Sequence, residues 1–159
     1  EDPQSFTLAP GASRTVKVTL AATTAAGVTQ PGDYTAEILA RVNSPYPVTP
    51  VKVTMHVLPP ASWGKISGTV TGQGCGGTVP LQAQLEIGLT TNPDIAYPIR
   101  SRPNGTYELW LPKGRYDVIV SRDGWRSQVR RHQVQAGFAE VLDFSLKPFV
   151  ACPTRVGGI

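Results

Sequence analysis

Long hydrophobic runs are missing from this chain. No stretch approaches the roughly 18 consecutive apolar residues of a membrane-spanning helix. No basic segment leads into a short apolar core either, so any export signal is expected to have been removed already. Charge is scarce: 16% of the 159 residues are Asp, Glu, Lys or Arg, against about a quarter in ordinary domains. Helical periodicity is absent as well. The one Ala-rich stretch, Ala21 to Gly27, has no apolar stripe and reads as a loop. What is plentiful is Gly (16), Pro (15) and an apolar fraction of 40%. Many Thr and Val residues between turn formers, with enough apolar content to argue against disorder, describe an all-β protein.

The net charge of +4 is unevenly placed. Residues 1–60 are neutral, with Arg14, Lys17, Arg41 and Lys52 against Glu1, Asp2, Asp33 and Glu37. The excess lies in residues 61–159, spread over several expected strands; only Arg126, Arg130 and Arg131 are close in sequence. That pattern is a solvated polar face and no nucleic-acid partner is expected.

Period-two alternation runs through the chain. In residues 14–20, Val16, Val18 and Leu20 alternate with Thr15, Lys17 and Thr19. Tyr34, Ala36, Ile38, Ala40 and Val42 form a second inner set, and Val51, Val53, Met55 and Val57 a third. One buried and one wet face per strand is the pattern of an antiparallel sandwich. Pro59-Pro60 then breaks the pattern, since adjacent prolines cannot join a ladder. Beyond it the alternation restarts at 65–70, 80–88, 105–111, 115–121, 127–134 and 139–146, with turn signals between. The expectation is two tandem Greek-key β-sandwich modules, 1–60 and 61–150, followed by a tail, 151–159. Only four strands are found in the first, the three alternating sets and the segment Phe6 to Ser13, so it is expected to be incomplete: a fragment cut within a longer module, or one completed by a strand from another chain.

Gly32-Asp33-Tyr34, Gly105-Thr106-Tyr107 and Gly114-Arg115-Tyr116 each open a strand. Gly supplies the turn and Tyr enters the core edge, its hydroxyl free to return to nearby backbone, as in a tyrosine corner. These are read as fold punctuation.

The run from Asn104 to Val120, with Gly105-Thr106-Tyr107, then Leu111-Pro112-Lys113-Gly114-Arg115-Tyr116, then Gly124-Trp125, resembles the carboxypeptidase regulatory-like family. Ile66-Ser67-Gly68-Thr69-Val70 and Val141 to Leu146 match its opening and closing strands. The resemblance covers about 63–147. It implies a seven-stranded, transthyretin-like sandwich and says little of function, because such modules are appended to many secreted proteins. The first half, with Phe6 to Ser13, residues 14–20, Pro31-Gly32-Asp33-Tyr34 and the strand before Pro59, is similar to the later strands of bacterial immunoglobulin-like or fibronectin type III-like modules. Together the two resemblances imply an accessory segment of a secreted bacterial protein, subtilisin-like proteases being one frequent host. Related collagen-adhesin repeats carry a Lys–Asn isopeptide bond. Lys65 stands at the donor position, but the closing strand has no Asn, and Asp143 is an unusual substitute.

The catalytic inventory is thin. His56 and His132 have no Cys, His or acidic partner at metal-ligand spacing, and both read as surface histidines. Residues 72–77 are glycine-rich but open no helix, so they offer no phosphate site. If residues 112–115 close a hairpin, Glu108 lies diagonal to Asp117 on one outer face. A flat face lacks the pocket that would separate two carboxyl pKa values. No catalytic residue, metal ligand or cofactor is therefore expected.

Alternation turns Trp110 outward. It and Trp125 are the candidate ligand-binding residues, because an exposed indole can stack on a sugar ring. Trp63, beside the prolines, is read as hinge packing. The sequon Asn104-Gly105-Thr106 is read as a favoured turn pair. Cys75 and Cys152 are the only cysteines, and an even count in a chain that looks exported favours a disulfide. In the implied sandwich they follow the first and last strands, which run parallel side by side. The expected role is non-catalytic: spacing, docking or attachment beside neighbouring domains, polysaccharide or cell-surface material. Sugar binding through Trp110, or strand complementation of the first module, are the alternatives.

Overall fold

The structure, a computed structural model, describes residues 5–150. The tail 151–159, with Cys152, lies outside the described residues. The chain divides into two compact units, Glu1–Leu58 and Pro59–Ile159.

In the first unit, β1 (Gly32–Ile38) and β2 (Val51–Val57) form a two-stranded antiparallel sheet with Tyr34 opposite Met55 and Ala36 opposite Val53. Val53, Met55 and Val57 are half-buried, while Lys52, Thr54 and His56 are exposed. Tyr34 and Ile38 share the half-buried side, but Ala36 is exposed, and β1 ends before Ala40 and Val42. Val51 is also exposed. Residues 14–20, expected as a strand, form no ladder beyond a single bridge at Lys17; Val16, Val18 and Leu20 are 36–46% exposed. An alternating ribbon becomes a strand only when another strand accepts its hydrogen bonds. The loop at 21–27 contains one turn of 3-10 helix, Thr24–Ala26. The Ala26 N–H donates to Thr23 Oγ1 at its start, and Gly27 closes it in the left-handed region.

The second unit is a sandwich of two sheets. One is built around β3 (Trp63–Gly74), flanked antiparallel by β7 (Thr106–Pro112) and β4 (Gly77–Pro80) on one side. On its other side run β10 (Ala139–Val141) and β11 (Phe144–Leu146), both parallel to it. The first and last strands are thus neighbours running the same way. The second sheet has the order β6-β5-β8-β9, from β5 (Gln84–Leu89), β6 (Asn92–Arg100), β8 (Gly114–Ser121) and β9 (Gln128–Val134), all antiparallel. Among the described residues there is no α-helix. The chain is all-β, and the sandwich is the fold its alternation pointed to.

The core lies between the sheets. Tyr107, Leu109 and Leu111 of β7 face Leu85 and Ile87 of β5 and Tyr116, Val118 and Val120 of β8, all of them buried. Ile66, Val70, Phe144 and Leu146 complete it from the first sheet. Each aliphatic side chain removed from water here contributes about 1.5–3 kcal/mol.

Three departures from the sequence reading have clear causes. First, residues 112–115 do not close a hairpin. β7 pairs with β3, and β8 pairs with β5 and β9, so the chain steps from one sheet to the other at Lys113. The Lys113 N–H donates to Ser62 O, and the Tyr116 hydroxyl to Pro112 O, 2.9 Å each. Second, β6 falls between the expected strands 80–88 and 105–111, where no alternating segment is marked, and it contains Pro93 and Pro98. It is an edge strand, where a missing N–H is tolerated. Third, the closing strand is two short pieces, β10 and β11, with Leu142 and Asp143 between them. Asp143 Oδ1 accepts from the Thr69 N–H and hydroxyl at 2.7 and 2.9 Å, which pins the break.

Candidate functional site

The outer face of the first sheet brings Lys65, Arg102, Glu108 and Trp110 together. Pairing of β3 with β7 sets Lys65 opposite Trp110 and Ser67 opposite Glu108. Ile66 and Leu109 point into the core, so their neighbours Lys65, Glu108 and Trp110 point outward. The Lys65 ammonium lies 2.5 Å from Glu108 Oε2 and 6.0 Å from the centre of the Trp110 ring. Arg102, from the turn before β7, brings Nη2 to 2.7 Å from Glu108 Oε1. Donation from Lys65 and then from Arg102 holds the Glu108 carboxyl below its ordinary pKa. Trp110 is half-buried and beside a cation, within cation–π reach.

Trp125 does not join it. Its indole covers Gly72, where an added Cβ would overlap the ring, and it packs against the core. A backbone bridge to Pro148 fixes it there. Gly72 lies on the inner side of β3 and seven residues from Lys65, or ~23 Å along the strand at about 3.3 Å per residue. The two candidate ligand residues therefore stand on opposite sides of one sheet and toward opposite ends of it. Trp63 opens β3, opposite Pro112.

The acidic residues are distributed in the same manner. Glu108 and Asp117 do not share a face, because β7 and β8 belong to different sheets. Asp117 lies on the outside of the second sheet, bound by Arg131 through Nε at 2.7 Å and Nη2 at 3.0 Å, and its carboxyl is lowered by that hydrogen bonding. Lys65 is engaged by Glu108 and Asp143 by Thr69, so the Lys65–Asp143 pair is not formed.

Both histidines have acidic partners that sequence spacing did not reveal. His56 contacts Asp33 directly across β1 and β2, both side chains being exposed. His132 is not on the surface: it is half-buried on the inward row of β9, with Nε2 2.6 Å from Glu140 Oε2 of β10. That approach is not directed as a hydrogen bond. Along the same row Arg130 lies 5.2 Å over the Phe144 ring, and Gln128 Nε2 donates to Ser145 O at 2.6 Å. These contacts close the sandwich edge between β9 and β10–β11. Among the described residues no three His, Cys, Asp or Glu side chains cluster as metal ligands, and no helix is long and apolar enough to cross a membrane.

Two of the three Gly-x-Tyr units act as corners. Tyr34 and Tyr116 each donate the hydroxyl to a carbonyl four residues earlier, Gln30 at 2.7 Å and Pro112 at 2.9 Å. Tyr107 instead donates across β3, within the first sheet, to Leu142 O. Burial, then Asp143, pushes the Tyr107 phenol up; burial, then Tyr97, pushes Tyr116 up to about 12.

Among solved structures the chain is similar to the Bacillus anthracis TIE protein (22% identity, TM-score 0.45, 64% of this chain and 18% of that one). It is also similar to GBS52, the minor pilin of Streptococcus agalactiae (14%, 0.48, 68% and 57%), and to catechol 1,2-dioxygenase from Acinetobacter (13%, 0.45, 58% and 54%). The chain spans less than two thirds of each of these proteins. No curated protein matches it. The model of one family, the carboxypeptidase regulatory-like domain, matches residues 65–147, which is the sandwich from β3 through β11 and just over half of the chain, and to that family the chain belongs.

Proposed function

We propose that this chain is a non-catalytic accessory segment of an exported multidomain protein, acting in spacing, docking or surface attachment. The observation that carries the reading is how the ionisable side chains are used. Glu108, Asp117 and Glu140 each bind a basic side chain of a neighbouring strand or turn. Groups that could move protons are thus spent on joining strands, while the interior is filled by apolar side chains. Membership of a family of appended modules supports the same reading. A subtilisin-like parent and an immunoglobulin-like or fibronectin-like first unit belong to this proposal, as does an extracellular or cell-surface location. So does a Cys75–Cys152 disulfide, which the parallel course of β3 and β11 favours. In the parent protein, deleting residues 59–150 is expected to leave turnover intact while reducing retention at the cell surface. Loss of turnover on Glu108→Gln or Asp117→Asn alone would overturn the reading. For the disulfide, two free thiols in denatured, unreduced protein would refute it.

A second reading, sugar binding at the outer face of the first sheet, is favoured by the placement of Trp110 beside Lys65, Glu108 and Arg102. It predicts a saturable change in Trp fluorescence with soluble xylan or chitin oligosaccharides, absent in Trp110→Ala.

A further inference from the structure

The turn between β6 and β7 holds a chemically labile pair that the proposed docking role does not use. Asn104 is followed by Gly105, which has no side chain to hinder attack by its own backbone nitrogen. In such a pair the Gly nitrogen, after losing its proton to solvent base, attacks the Asn Cγ. An N–Cγ bond forms, the Cγ–Nδ2 bond breaks, and ammonia leaves. Water then opens the cyclic imide to aspartate or isoaspartate. No enzyme, oxidant or reductant is required.

Here the folded turn engages both reacting groups. The Gly105 N–H donates to Arg102 O at 2.8 Å. Asn104 Oδ1 accepts from the Thr106 N–H at 3.1 Å and from the Thr106 hydroxyl at 2.7 Å. Asn104 is exposed, so water reaches it, but Gly105 is buried. Gly105 has φ +80°, and a Cβ there would stand 2.5 Å from Val70 O. Its own carbonyl accepts from the Val70 N–H at 2.8 Å. The nitrogen can swing toward Cγ only if the turn releases these bonds. The two Thr106 donors would stabilise the charge that attack places on Oδ1, so what withholds reaction is the tether on Gly105.

We propose that Asn104 is a latent deamidation site, locked while the β6–β7 turn is folded and reactive once the turn opens. The product does not return to the starting turn. Isoaspartate routes the main chain through the former side-chain carbon and adds one atom to the path, which displaces Gly105 from its seat against Val70. A molecule that opens once is therefore converted to one whose β7 is harder to re-dock.

The chain carries its own comparators. Asn43 precedes Ser44 in an exposed stretch of the first unit, and Asn92 precedes Pro93, which has no N–H to lose. The test holds the full chain in mildly alkaline buffer, with and without guanidinium, and follows each Asn peptide by mass spectrometry. In guanidinium the Asn104 peptide is expected to convert fastest, with Asn92 inert. In the folded chain its conversion is expected to slow about tenfold or more, which corresponds to an opening free energy of about 1.4 kcal/mol. Asn104→Gln should abolish the conversion of that peptide. Equal Asn104 rates in folded and unfolded chains would overturn the proposal, as would faster conversion of Asn43 than of Asn104 in guanidinium.

Discussion

The two units have the same local pattern and different outcomes. Residues 51–57 alternate apolar and polar side chains as cleanly as residues 106–111 do. Yet no described residue of the first unit is buried, while Leu85, Leu111, Val118 and Val120 of the second are 0% exposed. The difference lies in the second layer. β7 turns its apolar row onto β5 and β8, whereas among the described residues β2 pairs with β1 alone. Alternation prepares a face for burial; only an opposing sheet buries it.

The sharpest way to break that comparison is to separate the units. Residues 59–150 alone are expected to unfold cooperatively in denaturant, and residues 1–60 alone to show no cooperative transition, because two strands with one uncovered face are marginal in water. A cooperative monomeric transition in the isolated first unit would show that its apolar row finds cover within its own residues.

Matched truncations come next in size. Leu111→Ala should cost about 2–5 kcal/mol, from lost burial plus the cavity left between packed sheets. Val53→Ala, at the equivalent alternation in β2, should cost under about 1 kcal/mol, since its side chain is only half-buried. Equal losses in a denaturant titration of the whole chain would remove the distinction drawn here. A smaller effect is expected of Gly72→Ala, roughly 1–3 kcal/mol, because the new methyl must displace the Trp125 ring. Trp110→Ala, on the outer face, should fall below it, near 0.5 kcal/mol.

What the sequence made legible follows the same division. The inner rows of β7 and β8 could be read residue by residue, because both faces of that alternation have their partner in the fold. The pairing of β7 could not. A Pro-Lys-Gly turn looks the same whether it closes a hairpin or steps between sheets, and only the neighbours of each strand decide. That error placed Glu108 beside Asp117, which the structure separates by the thickness of the sandwich. β6 carries two prolines and no marked alternation, and tolerance of proline depends on being at an edge, a property of the sheet and not of the segment. Of the site, Trp110 could be read as outward by counting, while its companions Lys65 and Arg102 depended on the register of β3 and on the turn before β7. His132 read as a surface histidine because no Cys, His or acidic partner stands near it in sequence. Its inward direction and its partner Glu140 follow from the way β9 closes on β10, which no local pattern encodes.

The weakest expected effect concerns pH, and it sharpens the comparison by asking what charge contributes to the unit that already has a core. Glu108 and Asp117 both have folded pKa values held below the ordinary carboxylate range, Glu108 by Lys65 and Arg102 and Asp117 by Arg131. A carboxyl depressed by folding stabilises the folded state above its unfolded pKa, and that contribution is lost as pH falls through the folded value. Stability of residues 59–150 should therefore be flat from neutral pH down to the ordinary carboxylate range and decline only below it. Both pairs are solvent-exposed, so the decline should be shallow and should flatten further in high salt. Glu108→Gln and Asp117→Asn should each remove part of the acid-side slope and leave the neutral-pH plateau almost unmoved. A slope unchanged in the double variant would mean that the acid sensitivity of this unit does not reside in these two ion pairs.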